Sequence, residues 1–477
     1  MLVNALGWFK TITKAVFLFV VVVIIMLLLS IPISRWFEPT LKVTPAISGH
    51  YLITNANIVD SLNNRILSTM AIEIDSGVIQ SVLPSDQLDA AIDRRVPRVD
   101  ARGKYLLPGL VDAHVHVFDP QDLGLYLSHG ITQVRNMAGL PAHLRWQALE
   151  QADAFIGSEL TVFSPALNAG DDLGPFHIRV ESAEDARELV RTLAEKNYQG
   201  IKVYNGLDLS MTHAIFDEAK RLGLPVAGHP SSAYPFDKAL ELPFQSIEHI
   251  EELFQVALEH KVTHERIDQL SQALARSKTP IVSTLVAFDN IHQASQAPNE
   301  FLSTVDWNYL TGFTAFIGEK QLSPQLSGTD GQWESTKMRA LNAITQSLFK
   351  NDVSMVIGSD TGPALTQPGL SFHRELALLE SLNIERHKIL NAATTNAVNL
   401  LSNGMHSGQI AIGQRANLLL VHANPLESLA TLQEPEAVIT RGRYLNREQL
   451  MSLRKQGTNH HNSYVIIGWL LESLFTQ

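Results

Sequence analysis

The sequence predicts an α/β protein: a (β/α)8 TIM-like barrel with a small β-sandwich domain built from segments before and after the barrel, plus an N-terminal transmembrane helix. Three observations predict this fold class. An uncharged apolar run occupies residues 15–33. Short β-rich stretches alternate with amphipathic helical stretches from 108 to 403, as in repeated βα units. Short alternating strands separated by turn residues flank that region on both sides.

The apolar run is long enough to cross a bilayer. Its 19 residues carry no charge, and at ~1.5 Å per residue they span about 28 Å, close to the ~30 Å hydrocarbon core. A signal peptide usually has an apolar region of ~7–15 residues with a cleavage site just after it, and the nearest such pattern here, Ala46-x-Ser48, lies far downstream. We therefore expect an uncleaved anchor rather than a cleaved signal or a buried core helix.

The composition predicts the side of the membrane. Lys10 and Lys14 before the run balance Arg35 and Lys42 after it, so the positive-inside rule decides little. The chain has no cysteine, and free thiols are a liability in oxidising compartments. We therefore expect a single-pass membrane protein whose barrel lies on the extracytoplasmic (periplasmic) side.

The remaining elements follow in chain order. Eight strand candidates lie in the barrel region, at 109–117, 131–137, 159–167, 200–204, 224–230, 245–251, 279–288 and 354–362. A polar segment after the seventh, 290–334, exceeds a minimal barrel and could form a lid. The expected division is 1–37 for the tail and transmembrane anchor, 38–107 for the first part of the β-sandwich, 108–403 for the barrel, 404–447 for the second part of the β-sandwich, and 448–477 for a C-terminal tail.

The C-terminal tail contains a short apolar helix, YVIIGWLLESLF, which is too short to span a bilayer. Packing on the protein, the membrane interface and contact with a partner are all open, and we expect packing.

Composition excludes several classes of function. The net charge of −11 argues against nucleic acid as a partner, because a phosphate-binding face needs a basic excess. Without cysteine, the chain has no disulfide, thiolate zinc site, iron–sulfur cluster or cysteine nucleophile. Any metal chemistry must therefore use other ligands.

Four histidines and one aspartate fall in or at the ends of predicted barrel strands. They are His114 and His116 in one strand, His229, His249, and Asp360 in the motif IGSDTG. Taken singly, a strand histidine is usually a core residue and such an aspartate a helix cap or turn former. Jointly they converge on the C-terminal mouth of a barrel, where active sites lie. This predicts a divalent metal site, with zinc favoured by nitrogen-rich ligands and manganese, cobalt or iron also open.

Lys202 is unusual because an ammonium group in an apolar barrel strand is costly to bury. One interpretation is a salt-bridged lysine. The interpretation we favour is that CO2 converts the amine to a carbamate, a carboxylate that can bridge two metals. Tyr204, two residues on, should face the same side of the strand.

These residues lie in segments that closely resemble the amidohydrolase superfamily: LLPGLVDAHVHV, IKVY, AGHP, SIEHIE and IGSDTG. The chain looks most like the branch of imidazolonepropionase and the Xaa-Pro dipeptidases (prolidases). HRELALLESLNIERHKILNAATTNAVNLL and IGQRANLLLVHANPLESL resemble the same branch. The resemblance covers about residues 50 to 445 and leaves out the anchor and the tail.

The resemblance implies a two-metal hydrolase. By it, His114, His116 and Asp360 bind one metal, His229 and His249 bind the second, and carboxylated Lys202 and a hydroxide bridge them. Asp360 would take the proton of the hydroxide and return it to the leaving amine, as a general acid–base. Tyr204 is a weaker catalytic candidate, for hydrogen bonding the oxyanion.

One departure from the superfamily narrows the reaction. Its deaminase branches usually carry an acid three residues after the strand-five histidine, a position that Ser232 occupies here. The leading hypothesis is therefore a membrane-anchored hydrolase of small C–N amides, such as a dipeptide or an N-acyl amino acid. The alternatives are an ester, lactone or cyclic imide hydrolase, and a catalytically silent membrane-bound binding protein.

The expected partners are a small-molecule substrate and the membrane, with a homo-oligomer left open. His177, Arg179 and His373 lie where loops could meet a substrate carboxylate, but structural roles fit them equally well.

Overall fold

The structure is a computed structural model that describes residues 2–37, 39–88, 96–170, 173–174, 176–328, 331–401 and 407–476. The expectations for Glu38, where the first β-segment was to begin, and for the boundary at 403/404 lie outside the described residues.

The chain begins with one long helix, α1 (Leu2–Ser34). Its portion Val16–Ser34 has a mean hydropathy of 3.3 and is only 6% buried within the molecule. By length and composition, it is the one helix in the described part of the chain that could cross a membrane, as an anchor or as a signal sequence.

Five strands follow α1 and form most of one β-domain. They are β1 (Tyr51–Asp60), β2 (Arg65–Asp75), β3 (Val78–Pro84), β4 (Arg98–Asp100) and β5 (Tyr105–Pro108). β1 pairs with β2 antiparallel and with β4 and β5 in parallel, and β2 pairs with β3 antiparallel.

Eight parallel strands form the barrel, in chain order around the sheet. They are β6 (Leu110–Val115), β7 (Ile131–Asn136), β8 (Glu159–Asn168), β10 (Gly200–Val203), β11 (Val226–Gly228), β12 (Ser246–Glu248), β13 (Ile281–Val282) and β14 (Met355–Val356), while β9 (His177–Arg179) adds to the edge of β8. The barrel closes where Val115 of β6 bridges to Thr361 and the Ala113 N–H donates to the Ile357 carbonyl at 2.9 Å. All eight predicted barrel strands are confirmed, although several are shorter than predicted.

Helices separate these strands and pack outside them. They are α2 (Asp122–Ser128), α3 (Pro141–Gln151), α4 (Ala183–Glu195), α5 (Leu209–Leu222), α6 (Phe236–Leu240), α7 (Ile250–Glu252), α8 (His264–Ser277), α9 (Leu285–Gln296), α10 (Pro298–Thr304), α11 (Gly312–Leu326), α12 (Gly331–Lys350), α13 (Leu370–Ser381), α14 (Arg386–Ala393) and α15 (Thr395–Leu401). Local sequence sets their ends: the Ser182 side chain caps α4, the Asp208 side chain caps α5, and Gly223 ends α5 in the left-handed region at φ 72°.

The predicted strand over 279–288 is wrong beyond Val282. Thr284 turns the chain at φ 52°, and α9 begins at Leu285. The Glu375 carboxylate accepts the Val286 N–H at 2.6 Å and so satisfies one of the free donors of the first turn. A short apolar run such as LVAF fits a buried strand and a buried helix equally well, so periodicity alone could not separate them.

The segment predicted as a lid is helical. Most of the described residues in 290–334 fall in α9, α10, α11 and the start of α12. Phe313, Ile317 and Gln321 of α11 line the cavity at the barrel mouth. This segment therefore supplies part of the cavity wall, and its action as a lid stays a prediction.

Strands from the far side of the barrel complete the β-domain. They are β15 (Leu418–Val421), β16 (Ala437–Thr440) and β17 (Arg443–Asn446). β15 pairs antiparallel with β5, which joins the two sequence segments into one domain as predicted. Val78 of β3 bridges to Arg415, just before β15, so the sheet curls around its own apolar cluster, which includes Ile53, Ile72 and Leu418.

The tail ends in two helices, α16 (Arg447–Gly457) and α17 (Ser463–Thr476). α17 packs on α1: the Trp469 indole N–H donates to the Ser34 carbonyl at 3.0 Å, and a Cβ on Gly468 would lie 2.2 Å from the Ser30 carbonyl oxygen. Glu472 is buried between Arg35 and Arg145, at 2.8 Å from each. The expectation that the apolar tail packs on the protein is confirmed.

Candidate metal centre

The first strand of the barrel supplies two imidazoles to one carboxylate. His114 lies in β6 and His116 follows the strand. Their Nε2 atoms are 3.5 and 3.2 Å from Oδ1 of Asp360. The two histidines share a face because side chains alternate along a strand.

Asp360 lies in the loop after β14 and is held by the first strand. Its N–H donates to the His114 carbonyl at 2.8 Å, and its φ is 50°. The preceding residue, Ser359, donates its N–H and its hydroxyl to the two oxygens of Asp112, at 2.9 and 2.6 Å. Asp112 thereby fixes the loop that presents Asp360.

His229 and His249 each follow a strand rather than lying within it, which corrects the expectation that His249 sits in the sixth strand. β11 ends at Gly228 and β12 ends at Glu248. At His249 the chain turns sharply, with φ 64°. The His249 ring lies 4.8 Å from that of His229 and 4.5 Å from that of His114, centroid to centroid. Ligand atoms of His114, His249 and Asp360 all lie within 4.8 Å of one another.

Lys202 enters the same cavity from β10. It is 2% exposed, and its Nζ has no hydrogen-bond partner. Burial lowers the pKa of Lys202 to about 8, although the Glu248 carboxylate opposes that shift. An amine with this pKa is about one-tenth neutral at pH 7, against fewer than about one in a thousand for an ordinary lysine.

Three neighbours aim the imidazoles into the cavity by binding their Nδ1 atoms. His114 Nδ1 pairs with Glu248, His229 Nδ1 with Glu252, and His249 Nδ1 with the Thr284 hydroxyl, each at 2.7 Å. In each ring this leaves Nε2 as the inward-facing atom, and the buried Nε2 of His114 has no hydrogen-bond partner. Such outer partners fix the tautomer of metal-binding histidines.

The protonation states also suit a cation. Burial lowers the pKa of His249 to about 4 and holds those of His114 and His229 well below the usual value, so these rings are neutral at pH 7. Burial alone would raise the pKa of Asp360, but the surrounding histidines outweigh it and the carboxyl stays ionised. Neutral imidazoles, a carboxylate and two buried polar atoms without partners form a donor set that fits divalent metal.

Sequence reasoning missed the charged residues behind the ligands. Arg135 and Glu248 are fully buried and paired at 2.8 Å, and Arg135 also donates to the Ala113 carbonyl. Burial alone would raise the pKa of Glu248, but the Arg135 guanidinium keeps it below the usual value. A signal was present, because Asp112, Arg135 and Glu248 interrupt apolar strands, and a charge buried in a strand must be paired.

Of the three candidates for contact with a substrate carboxylate, only His177 lines the cavity. Its ring centroid lies 4.4 Å from that of Tyr204, which in turn lies 4.1 Å from that of His229. Arg179 donates instead to the Gly170 carbonyl at 2.7 Å. Buried His373 pairs with the His129 carbonyl at 2.9 Å. Arg179 and His373 therefore bind the protein's own backbone and do not line the cavity.

His143 shows what a structural histidine looks like in this fold. Its Nε2 donates to the Val117 carbonyl at 2.7 Å and its Nδ1 accepts the Leu140 N–H at 2.9 Å. Burial lowers its pKa to about 4. Both nitrogens are used by the backbone, so this ring has no atom left for a ligand.

Solved structures of similar fold include a bottromycin amidohydrolase and a Xaa-Pro dipeptidase. A bottromycin amidohydrolase superposes with a TM-score of 0.71 at 23% identity, covering 87% of this chain and 92% of that one. A Xaa-Pro dipeptidase with methionine bound in its active site superposes with a TM-score of 0.66 at 18% identity, covering 83% of this chain and all of that one (100%). At these identities the likeness shows the fold.

Two sequence comparisons point the same way. Adenine deaminase 2 of Desulfotalea psychrophila is 27% identical over 198 residues, which cover 37% of this chain and 31% of that protein. The chain therefore spans about a third of the length of this curated relative. The family comparison matches residues 105–445, well over half of the sequence. The chain belongs to the Amidohydrolase family.

Proposed function

We propose that this protein is a membrane-anchored, metal-dependent hydrolase of small C–N amides. The carrying observation is the convergence of four imidazoles, one carboxylate and the Lys202 amine on a single cavity at the barrel mouth. The family and the C–N hydrolases of similar fold support the reaction class.

The six residues divide into two sets of ligands. In this proposal His114, His116 and Asp360 would hold one ion, His229 and His249 would hold a second, and Lys202, as a carbamate, would supply a carboxylate ligand. The neutral amine attacks the carbon of CO2 and forms an N–C bond as one C–O π bond breaks. The nitrogen then releases a proton to solvent water, which leaves a carboxylate in place of an amine. When bound, divalent ions supply an acidic water at neutral pH and polarise the substrate carbonyl.

The protein's own groups then move the proton and hold the substrate. Asp360 is ionised and faces the cavity, so its carboxylate accepts the proton of the attacking water and delivers it to the leaving nitrogen. Tyr204, stacked beside His229, donates its hydroxyl to the carbonyl oxygen as negative charge develops there.

The anchor is also part of the proposal. In this proposal Val16–Ser34 crosses the membrane uncleaved and the barrel is periplasmic, which the absence of cysteine favours. Protease added to right-side-out spheroplasts should digest the barrel if this orientation holds. Protection of the barrel, or an N-terminus that begins after residue 34 in the mature protein, would contradict it.

Lys202 provides the sharpest test of the site. Lys202→Ala should lose most of its bound metal and at least about 100-fold in kcat/KM, and propionate should restore part of both by supplying a carboxylate. Protein grown with 13C-bicarbonate should show a carbamate carbon signal that the variant lacks. Lys238→Ala, an exposed lysine that pairs with Glu241, is the matched control and should change nothing. Metal-free wild-type protein with full activity would refute the proposal.

A further inference from the structure

The cavity outside the ligand cluster is mainly aromatic and aliphatic, although Thr314 and Gln321 also line it. Phe118 follows the first strand, and its ring lies 6.1 Å from that of Phe176 and 5.4 Å from that of Phe313 on α11. Ile317 and Met137 complete this wall of a cavity of about 310 Å³. We call Phe118, Phe176 and Phe313 the aromatic wall.

Outside the ligand cluster, the described residues that line this cavity include no lysine or arginine that could pair with a substrate carboxylate. Lys202 is buried among the ligands. The further imidazole of the lining, His177, already uses its Nδ1 to accept the Gly174 N–H at 2.9 Å. Arg179, the loop candidate, donates to a backbone carbonyl instead. A carboxylate taken into an apolar cavity needs a partner of opposite charge, usually a bidentate arginine. This cavity therefore disfavours substrates with a free carboxylate.

The helix that carries part of this wall lies on the side of the anchor. A Cβ on Gly312, the first residue of α11, would come within 3.0 Å of the Ser463 hydroxyl, the first residue of α17. The next residue of α17, Tyr464, donates its hydroxyl to the Met26 carbonyl of α1 at 2.6 Å. Met26 lies within Val16–Ser34, the stretch that can cross the membrane. The barrel mouth therefore lies beside the membrane helix.

From these features we infer that the substrate is an uncharged amide with an apolar group on at least one side of the scissile bond, taken from the membrane surface. The apolar group packs against the aromatic wall, and the carbonyl of the scissile amide lies against the ligand cluster. This inference rests on the proposed function and narrows it: the dipeptides and N-acyl amino acids expected from sequence carry a free carboxylate and become poor substrates.

The test uses the full-length, metal-loaded protein in detergent and two comparisons of kcat/KM. N-hexanoyl-alaninamide should exceed N-acetyl-alaninamide by at least about 10-fold, because each buried CH2 contributes about 4-fold. N-hexanoyl-alaninamide should also exceed N-hexanoyl-alanine, its free acid, by at least about 10-fold. Equal rates in both comparisons, or faster hydrolysis of the acid, would overturn the inference and leave the proposed function intact.

Two substitutions in α11 distinguish loss of substrate packing from general loss of activity. Phe313→Ala should lower kcat/KM at least about 10-fold for the hexanoyl amide and less than about 3-fold for the acetyl amide, with Phe313→Leu in between. Phe316→Ala is the control, because Phe316 is on the same helix, is 62% exposed and does not line the cavity. If folded Phe313→Ala loses kcat/KM equally for both amides, the inference that the aromatic wall sets specificity is overturned.

A binding measurement keeps the inference testable if no amide is hydrolysed. That outcome would refute the proposed function alone. A fluorescent N-hexanoyl amide should still bind, with a Kd at least about 10-fold weaker for Phe313→Ala than for Phe316→Ala. Absence of binding to the wild-type protein would overturn the inference as well.

Discussion

Replacing Glu248 with glutamine should remove the carboxylate that orients His114 in the candidate metal site, while keeping the size and shape of the side chain. Glu248 contacts His114 Nδ1 through one oxygen and Arg135 through the other, at 2.7 and 2.8 Å. A glutamine must point its amide oxygen at the guanidinium, because the NH2 group would repel it. Its NH2 group then donates to His114 Nδ1, which moves the ring proton to Nε2, the atom that faces the cavity.

The expected magnitude has two parts. Loss of a partner of this kind typically costs 10–100-fold in metal affinity, or about 1.4–2.8 kcal/mol. Both charges are fully buried, and breaking such a pair costs about 3–5 kcal/mol of folding free energy. Because glutamine keeps one hydrogen bond to Arg135, we expect the low end, about 3 kcal/mol.

Equilibrium dialysis with metal analysis measures the first quantity, and urea unfolding of metal-free protein in detergent measures the second. Glu434→Gln is the control: this carboxylate is 55% exposed and pairs with Arg454 at the surface, so the change should stay below about 1 kcal/mol. Wild-type metal affinity in Glu248→Gln would refute the argument that Glu248 sets the tautomer of His114.

Three further predictions concern the scaffold. The pKa of His143 is about 4 in the folded protein and about 6.5 in the unfolded chain. Between these pH values the unfolded chain binds more protons, so the free energy of unfolding of the wild type should fall as pH is lowered from about 6.5 to 4. Urea titrations should show a loss of up to about 3 kcal/mol relative to His143→Gln, and a difference between the two proteins that does not change with pH would contradict this. Gly468→Val should cost about 1–3 kcal/mol, because its Cβ would overlap the Ser30 carbonyl, and limited proteolysis should release the C-terminal helix faster than in wild type. Ser359→Ala should cost about 1.5–3 kcal/mol and weaken metal retention, since buried Asp112 loses a hydroxyl donor; an unchanged metal content would argue against its role in holding the loop.

The barrel could be predicted from the sequence because strand and helix patterns alternate regularly along it. Eight β-rich runs alternate with amphipathic helices, and all eight strands are present in the structure. It failed at LVAF, after the seventh strand, where helix or strand was decided by Glu375, about 90 positions away in the chain. It also placed His249 inside a strand, whereas the backbone turns there at positive φ.

The candidate site divides in the same way. His114, His116, Lys202 and Asp360 could be proposed together because strand order alone brings their strand ends to one mouth. Their supports, Glu248 among them, could not, since only the fold shows which buried charge pairs with which ring. By sequence, Arg179 and His373 were as good candidates for substrate contact as His177. In the structure only His177 lines the cavity, whereas the other two bind backbone carbonyls.

The contact between the first and last helices sets an order of assembly. Ser34 is synthesised early, and its partner Trp469 is 435 positions later in the chain. During synthesis α1 therefore lacks this contact, with Ser30 and Ser34 uncovered by it, until α17 has been made. Any product that ends before α17 keeps its barrel sequence but lacks the helix that packs on both α1 and α3, so truncation there changes the surface of the first helix while leaving the barrel strands in place.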